Sequence, residues 1–184
     1  MNKHLEPIFK ALLPKLEETQ IDYWVYGGIS IAAFAGKFIR ENKDVDIFVK
    51  DADFKKAKSI LEELCNQNDF KLNCKFKGDD ERPKIDIKID GNKRFSVIPI
   101  YQKNNMVVFR YENKYGGDEE YTNQILERVE RNISGYRFFT SPDEFIKEMF
   151  KNHIKARPDK KKRKEIKIDA KAIFTPEEYK KYMV

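Results

Sequence analysis

The 184-residue chain carries 37 Lys and Arg against 31 Asp and Glu, a formal net charge of +6 with a pI near 9.1, and is 40% hydrophobic and 13% aromatic. This is enough apolar material for one compact core, while the absence of a membrane-length apolar run and of a secretion-signal pattern in MNKHLEPIFKALL argues against a membrane or secreted protein. Cys65 and Cys74 form neither zinc-ligand spacing nor a disulfide framework, which points to a reducing cytoplasm, and the positive balance suits polyanionic partners without selecting them.

In chain order, Leu5, Ile8, Phe9, Leu12, Leu13 and Leu16 recur at helical spacing, with Pro7 near the start and Pro14 expected to bend or end the helix. Asp22 to Tyr26 reads as a strand, Gly27-Gly28 as a tight turn, and Ile29 to Ala35 as a short helix stopped at Gly36. An apolar strand containing Asp44-Val45-Asp46 follows. Asp53 is then expected to cap a helix whose buried stripe is Phe54, Ala57, Ile60, Leu61 and Leu64. Further strands are predicted over Lys71 to Phe76, Lys84 to Ile89, Phe95 to Tyr101 and Met106 to Tyr111, with Asp90-Gly91 as a hairpin turn. Gly116-Gly117 starts a polar loop, and Tyr121, Ile125, Leu126 and Val129 suggest another helix. After a short strand, Tyr136 to Phe139, Ser141-Pro142-Asp143-Glu144 marks a helix start. The expected organisation is a core over 1–139 and a helical segment over 140–184 packed on it.

Two of these features carry chemistry. Residues i and i+2 of a strand share a face, so Asp44 and Asp46 project together while Val45, Ile47 and Val49 point the other way. Paired carboxylates on a partly closed face are costly without a cation between them and suit a hard divalent ion such as magnesium. His4 and His153 are too far apart in sequence to suggest an imidazole site. The glycine pair before a helix aims free backbone N–H groups at an anion, and Ser30 adds a hydroxyl; equally, glycines there can simply allow strand and helix to pack closely. No Walker phosphate loop or Gly-x-Ser-x-Gly elbow is present.

The order strand, Tyr26-Gly27-Gly28, helix, basic residue, Asp44-Val45-Asp46 resembles the polymerase-β-like nucleotidyltransferase superfamily, over residues 22 to 101, and within it the small bacterial antibiotic nucleotidyltransferases and nucleotidyltransferase toxins. The fifteen residues between Gly28 and Asp44 slightly exceed that pattern's usual gap. The resemblance implies an α/β (α+β) fold: a small mixed, mostly antiparallel sheet backed by helices, with a C-terminal helical segment. It implies a third carboxylate, for which Asp86 in mid-strand is chosen over Asp90 in the turn. It also implies two Mg2+ ions, with Mn2+ as a substitute, held by Asp44, Asp46 and Asp86, and transfer of a nucleoside monophosphate from a triphosphate such as ATP to a hydroxyl. Gly27, Gly28, Ser30, Lys37 and Arg40 would contact the nucleotide, Arg40 better suited than Lys37 to grip phosphate. The acceptor is open among RNA, protein and small molecule, with the basic surface tilting the choice toward a macromolecule. A catalytically inactive nucleotide- or nucleic-acid-binding module of the same fold is the alternative.

Toward the C-terminus the correspondence loosens. Arg157, Asp159 and Asp169 only loosely echo the superfamily's final helix, and Met149 stands where a lysine is usual, between Lys147 and Lys151. The run Lys160 to Lys164 reads as a solvated helix face or connector that could grip phosphate backbone, and His153 reads as a packing or surface residue.

Overall fold

A computed structural model describes residues 2–77, 82–110 and 118–183. Nine strands form the sheet: β1 Tyr23–Tyr26, β2 Val45–Lys50, β3 Lys71–Lys77, β4 Arg82–Ile89, β5 Asn92–Lys103, β6 Met106–Arg110, β7 Asp118–Thr122, β8 Val129–Ile133 and β9 Tyr136–Thr140. Their main order is β3-β4-β5-β2-β1-β9-β8, with β6 and β7 continuing from the far end of β5. Among the described residues only β2 with β5 and β1 with β9 run parallel. The mixed, mostly antiparallel sheet is therefore as expected.

Strand alternation gives the sheet two apolar faces. On one, Val25, Val45, Ile47, Val49, Ile85, Ile87, Phe95 and Val97 are buried beneath the N-terminal helical segment and α3, Asp51–Gln67. On the other, Trp24, Phe48 and Ile100 pack with Val107, Phe109 and Tyr121 of β6 and β7 and with Phe145 of α4, Asp143–Ala156. A third cluster joins Ile31 of α2, Gly28–Phe34, to Ile146 and Phe150 of α4 and to Ala170 and Ile173 of α5, Lys164–Ile173. The last helix, α6, Pro176–Met183, lies against α4 through Lys147 and Lys151, which both pair with Glu178.

Several local expectations change. Pro14 does not end the first helix: a wide turn over Ile8–Leu12 runs into α1, Leu13–Glu18, with Pro14 in the first turn of α1. Helix α3 starts at Asp51, so Asp53 lies inside the first turn and is not the cap. Tyr121 to Val129 is not a helix. Tyr121 lies within β7, a 3-10 turn covers Asn123–Leu126, and Val129 begins β8; Tyr121 and Ile125 are buried, as the helix reading required, but by strand and turn geometry. Asp90 and Gly91 both adopt positive φ (51° and 74°), the two-residue turn that suits a twisted hairpin. Tyr111 and Gly116-Gly117 lie outside the described residues.

Candidate active site

Sheet register assembles the site. Asp46 of β2 is opposite Ser96 of β5, and Ser96 is opposite Asp86 of β4, so the three side chains form a row on the face that carries Trp24 and Phe48. Tyr26 of β1 continues the row on the other side of Asp46. Asp44 lies one residue before β2. The sheet thus gathers Asp44, Asp46 and Asp86, with Ser96 interposed between the last two.

Ser96, which sequence reasoning passed over, is fully buried; its hydroxyl donates to Asp86 Oδ1 at 2.9 Å and accepts from Lys93 Nζ at 3.2 Å. Lys93 Nζ also lies 2.9 Å from Asp44 Oδ2, and Lys84 Nζ 3.3 Å from Asp86 Oδ1. The acids are therefore interleaved with ammonium groups. Burial, then the neighbouring Asp44 charge, push the Asp46 carboxyl up to about 6, against the pull of Lys93, Lys84 and the Ser96 hydroxyl. Burial works in the same direction on Asp86, but Lys84, Ser96 and Lys93 outweigh it and hold that carboxyl below its ordinary value.

The glycine pair is used in two ways. Gly27 has φ 71° and ψ −145°, a conformation that side chains resist, while the space beside it is ordinary, with Asp46 Oδ2 3.5 Å from where a Cβ would stand. Gly28 is needed for space: a Cβ there would meet Arg40 Nη2 and Asn42 Oδ1 at 2.5 Å. The loop carrying these two side chains is fastened to the N-terminus, since Asn42 N donates to Asn2 Oδ1 at 2.7 Å and His4 Nε2 lies 2.8 Å from the Asn42 carbonyl. Buried Asn42 Oδ1 has no hydrogen-bond partner among the described residues.

Other expected contacts are placed differently. The Ser30 hydroxyl is buried and donates to the Gly27 carbonyl at 2.8 Å, so it braces the turn. Lys37 is exposed and outside the cavity lining. Arg40 lines the cavity, but its guanidinium already grips Asp169 of α5, with Nε to Oδ1 and Nη2 to Oδ2 both at 2.7 Å. Burial raises the Asp169 carboxyl and Arg40 draws it back without cancelling the effect.

Over the Tyr26 and Asp46 end of this row lies a cavity of about 570 Å³. Its floor includes Tyr26, Gly27, Gly28, Asp46 and Ile98, and α4, α5 and the 3-10 turn Pro158–Lys162 contribute Met149, Phe150, His153, Arg157, Lys160 and Asp169. The basic run is therefore not wholly an outer surface, because Lys160 turns inward, with Nζ 3.2 Å from His153 Nε2. Burial, with Lys160 and Arg157 close by, lowers the His153 pKa to about 4, so a neutral ring faces the cavity at neutral pH.

The carboxylates fit a divalent cation in chemistry but only partly in arrangement. Hard carboxylate oxygens, one of them destabilised by burial and a neighbouring acid, are the donors a divalent cation such as magnesium favours. Among the described residues, however, no three His, Cys, Asp or Glu side chains converge as a ready ligand group. The chemistry fits at Asp44 and Asp46, whereas Asp86 meets the row through Ser96.

Residues 8–91 match the family model of aminoglycoside-2''-adenylyltransferase. Comparison with curated proteins gives no significant match. Among solved structures, the antibiotic-resistance factor ANT(2'')-Ia superposes with a TM-score of 0.62 at 12% identity, covering 95% of this chain and 86% of its own. The chain has the polymerase-β-like nucleotidyltransferase fold. The lincosamide antibiotic adenylyltransferase LnuA, with lincomycin bound, shares that fold at a TM-score of 0.54 and 19% identity, covering 79% of this chain and 83% of its own. ANT(2'')-Ia in complex with adenylyl-2''-tobramycin gives 0.59 and 12%, with 97% and 94% covered. In the nucleotidyltransferase-fold protein described here, no helix among the described residues is long and apolar enough to cross a membrane.

Proposed function

We propose that this protein is a divalent-cation-dependent nucleotidyltransferase that moves a nucleoside monophosphate from a nucleoside triphosphate, ATP being the first to test, to a hydroxyl of a small molecule. The observation that carries the reading is Asp46, one member of the acid row, in the floor of a cavity whose lining supplies Arg40, Lys84, Lys93, Arg110, Arg157 and Lys160 against three carboxylates, Asp46, Glu119 and Asp169. Such a lining suits a triphosphate beside a metal-binding pair.

Asp44 and Asp46 would hold the magnesium ions, with Asp86 as the third acid of the row, and bound metal would polarise the α-phosphoryl group and the acceptor hydroxyl. Lys84 and Lys93, already among the acids, would turn toward phosphate oxygens once metal satisfies the carboxylates. The Arg40 fork suits paired phosphate oxygens, at the expense of its Asp169 contact.

A cavity of about 570 Å³ and shared fold with two antibiotic-modifying proteins support a small acceptor. They move the reading away from the RNA or protein acceptor that the net charge suggested. A cytoplasmic location is part of the proposal, resting on two unpaired cysteines. One observation favours the non-catalytic alternative: Ser96 stands between Asp86 and Asp46.

Release of pyrophosphate from labelled triphosphates with Mg2+, assayed with lincomycin and tobramycin as acceptors, decides between them. Product formation abolished by Asp46→Asn supports transfer. Tight nucleotide binding without pyrophosphate from any acceptor supports the binding module.

A further inference from the structure

The basic run divides by direction. Arg157 and Lys160 face the cavity, whereas Lys162, Lys164, Lys167 and Lys171 are exposed and line a separate surface recess with Ile168, without any carboxylate. Helix geometry explains the split. At about 100° per residue, Lys164, Lys167 and Lys171 fall within an arc of about 60°, opposite the stripe of Ile166, Ala170 and Ile173 that packs with Ile146 and Phe150. Ile166 and Asp169 line the cavity, so the lysine face is turned away from it. Lysines on the other helical segments are matched to acids, as in Lys10 with Glu6, Lys58 with Glu62, and Lys147 and Lys151 with Glu178. On α5 the neighbours three and four positions away are themselves cationic, Lys164 with Lys167 and Lys167 with Lys171, and among the described residues none of the four lysines of the recess forms an ion pair. Like charges at these spacings oppose the helix that carries them, and a polyanion laid across them removes the repulsion.

The make-up of this face selects among polyanions. A helix that lies on an anionic bilayer also buries an apolar face in it, but the apolar stripe of α5 is already committed to the protein interior. Protein interfaces are poor in lysine and rely on aromatic and arginine anchors, and no aromatic side chain lines the recess. Single-stranded nucleic acid requires the same missing aromatics to stack its bases. The phosphate backbone of a duplex requires neither: lysine grips phosphate as a point charge, without a demand on orientation. Lys164 and Lys171 are about 10 Å apart along the helix axis, a length over which a duplex presents about six phosphates.

We propose that the outer face of α5, with Lys162 at its head, docks the phosphate backbone of double-stranded nucleic acid without reading its sequence. The duplex is a partner and not the acceptor, and its binding is independent of the transfer reading. Fluorescence anisotropy of a short labelled DNA duplex titrated with the full chain, over a series of salt concentrations, tests it. Four lysines on phosphates predict that log affinity falls against log salt with a slope of about −3 to −4, equal for duplexes of different sequence. Lys164→Gln, Lys167→Gln and Lys171→Gln together should flatten the slope to about −1 and weaken binding at least ~10-fold at low salt, with the Tm not lowered. Lys55→Gln, Lys71→Gln and Lys88→Gln remove the same charge from exposed positions elsewhere and should leave the slope as in wild type. Equal losses in the two triple variants would overturn the proposal, since binding would then follow net charge or the cavity. So would no binding of the duplex at low salt, or tighter binding of the single strand, of phosphatidylserine vesicles or of polyglutamate than of the duplex.

Discussion

Gly28→Ala tests the architecture of the glycine turn. At an open helix start the change would stabilise by up to about 0.5–1 kcal/mol, because alanine loses less backbone freedom than glycine. Here the added Cβ would stand 2.5 Å from Arg40 Nη2 and Asn42 Oδ1. Each must retreat by roughly 1 Å to reach ordinary contact distance. Arg40 cannot do so freely, since two 2.7 Å bonds tie it to a carboxylate that is 1% exposed. Loss of one such charge-assisted bond costs about 1.5–3 kcal/mol, which outweighs the backbone gain. The net expectation is a destabilisation of about 1–2 kcal/mol, or a Tm lowered by roughly 2–8 °C for a chain of this size. Calorimetry checks it, and the decisive measurement is the same substitution in an Arg40→Ala, Asn42→Ala background. There the increment should become neutral or stabilising. An equal cost in both backgrounds would refute the steric account and leave only a backbone effect.

Asp46→Asn should reduce pyrophosphate release by at least ~100-fold, of the order seen when a charge-stabilising group is removed from an active site. The same change should raise the Tm at pH 7 in EDTA: a carboxyl raised to about 6 contributes stability that is full below its unfolded value near 3.8 and lost as pH rises through 6. Ser96→Ala should destabilise by about 1–3 kcal/mol in urea denaturation, because Asp86 loses a buried donor, and should raise the Asp86 pKa read by carbon NMR. His153 gives the opposite sign to Asp46. Its native pKa of about 4 lies below the ordinary 6.5, so the folded state binds fewer protons there, and its contribution is full above pH 6.5 and lost as pH falls toward 4. His153→Gln should therefore gain stability relative to wild type over that interval, and parallel pH profiles would contradict the assignment.

What the sequence could convey depended on the range of the interaction. Val45, Ile47 and Val49 against Asp44 and Asp46 is a period-2 signal contained in one strand, and the Asp90-Gly91 turn is local chemistry, so both could be read directly. Ser96 had a usable signal as well, since Phe95 and Val97 flank it and parity alone puts it on the other face, but only inter-strand register shows what it stands between. The stretch from Tyr121 to Val129 misled because spacings of four, one and three also fit a strand, a tight turn and the next strand. Arg40 and Asp169 are separated by 129 positions, and no local pattern announces that a surface-looking arginine is held by a buried acid. His153, Lys160 and Glu119 belong to the same class: each faces the cavity only because elements distant in sequence are folded over the sheet.

The Arg40–Asp169 clamp also imposes an order on biosynthesis. Strands β1 to β5 and α3 can collapse around their own apolar face as soon as they leave the ribosome, because the contacts of that face lie mainly within the first hundred or so residues. The cavity, however, takes part of its wall from residues up to Asp169. A nascent chain stalled before that point would display its acids and glycine turn in open water, with Arg40 untethered, and would have a compact core without the wall that bounds the cavity beside Asp46.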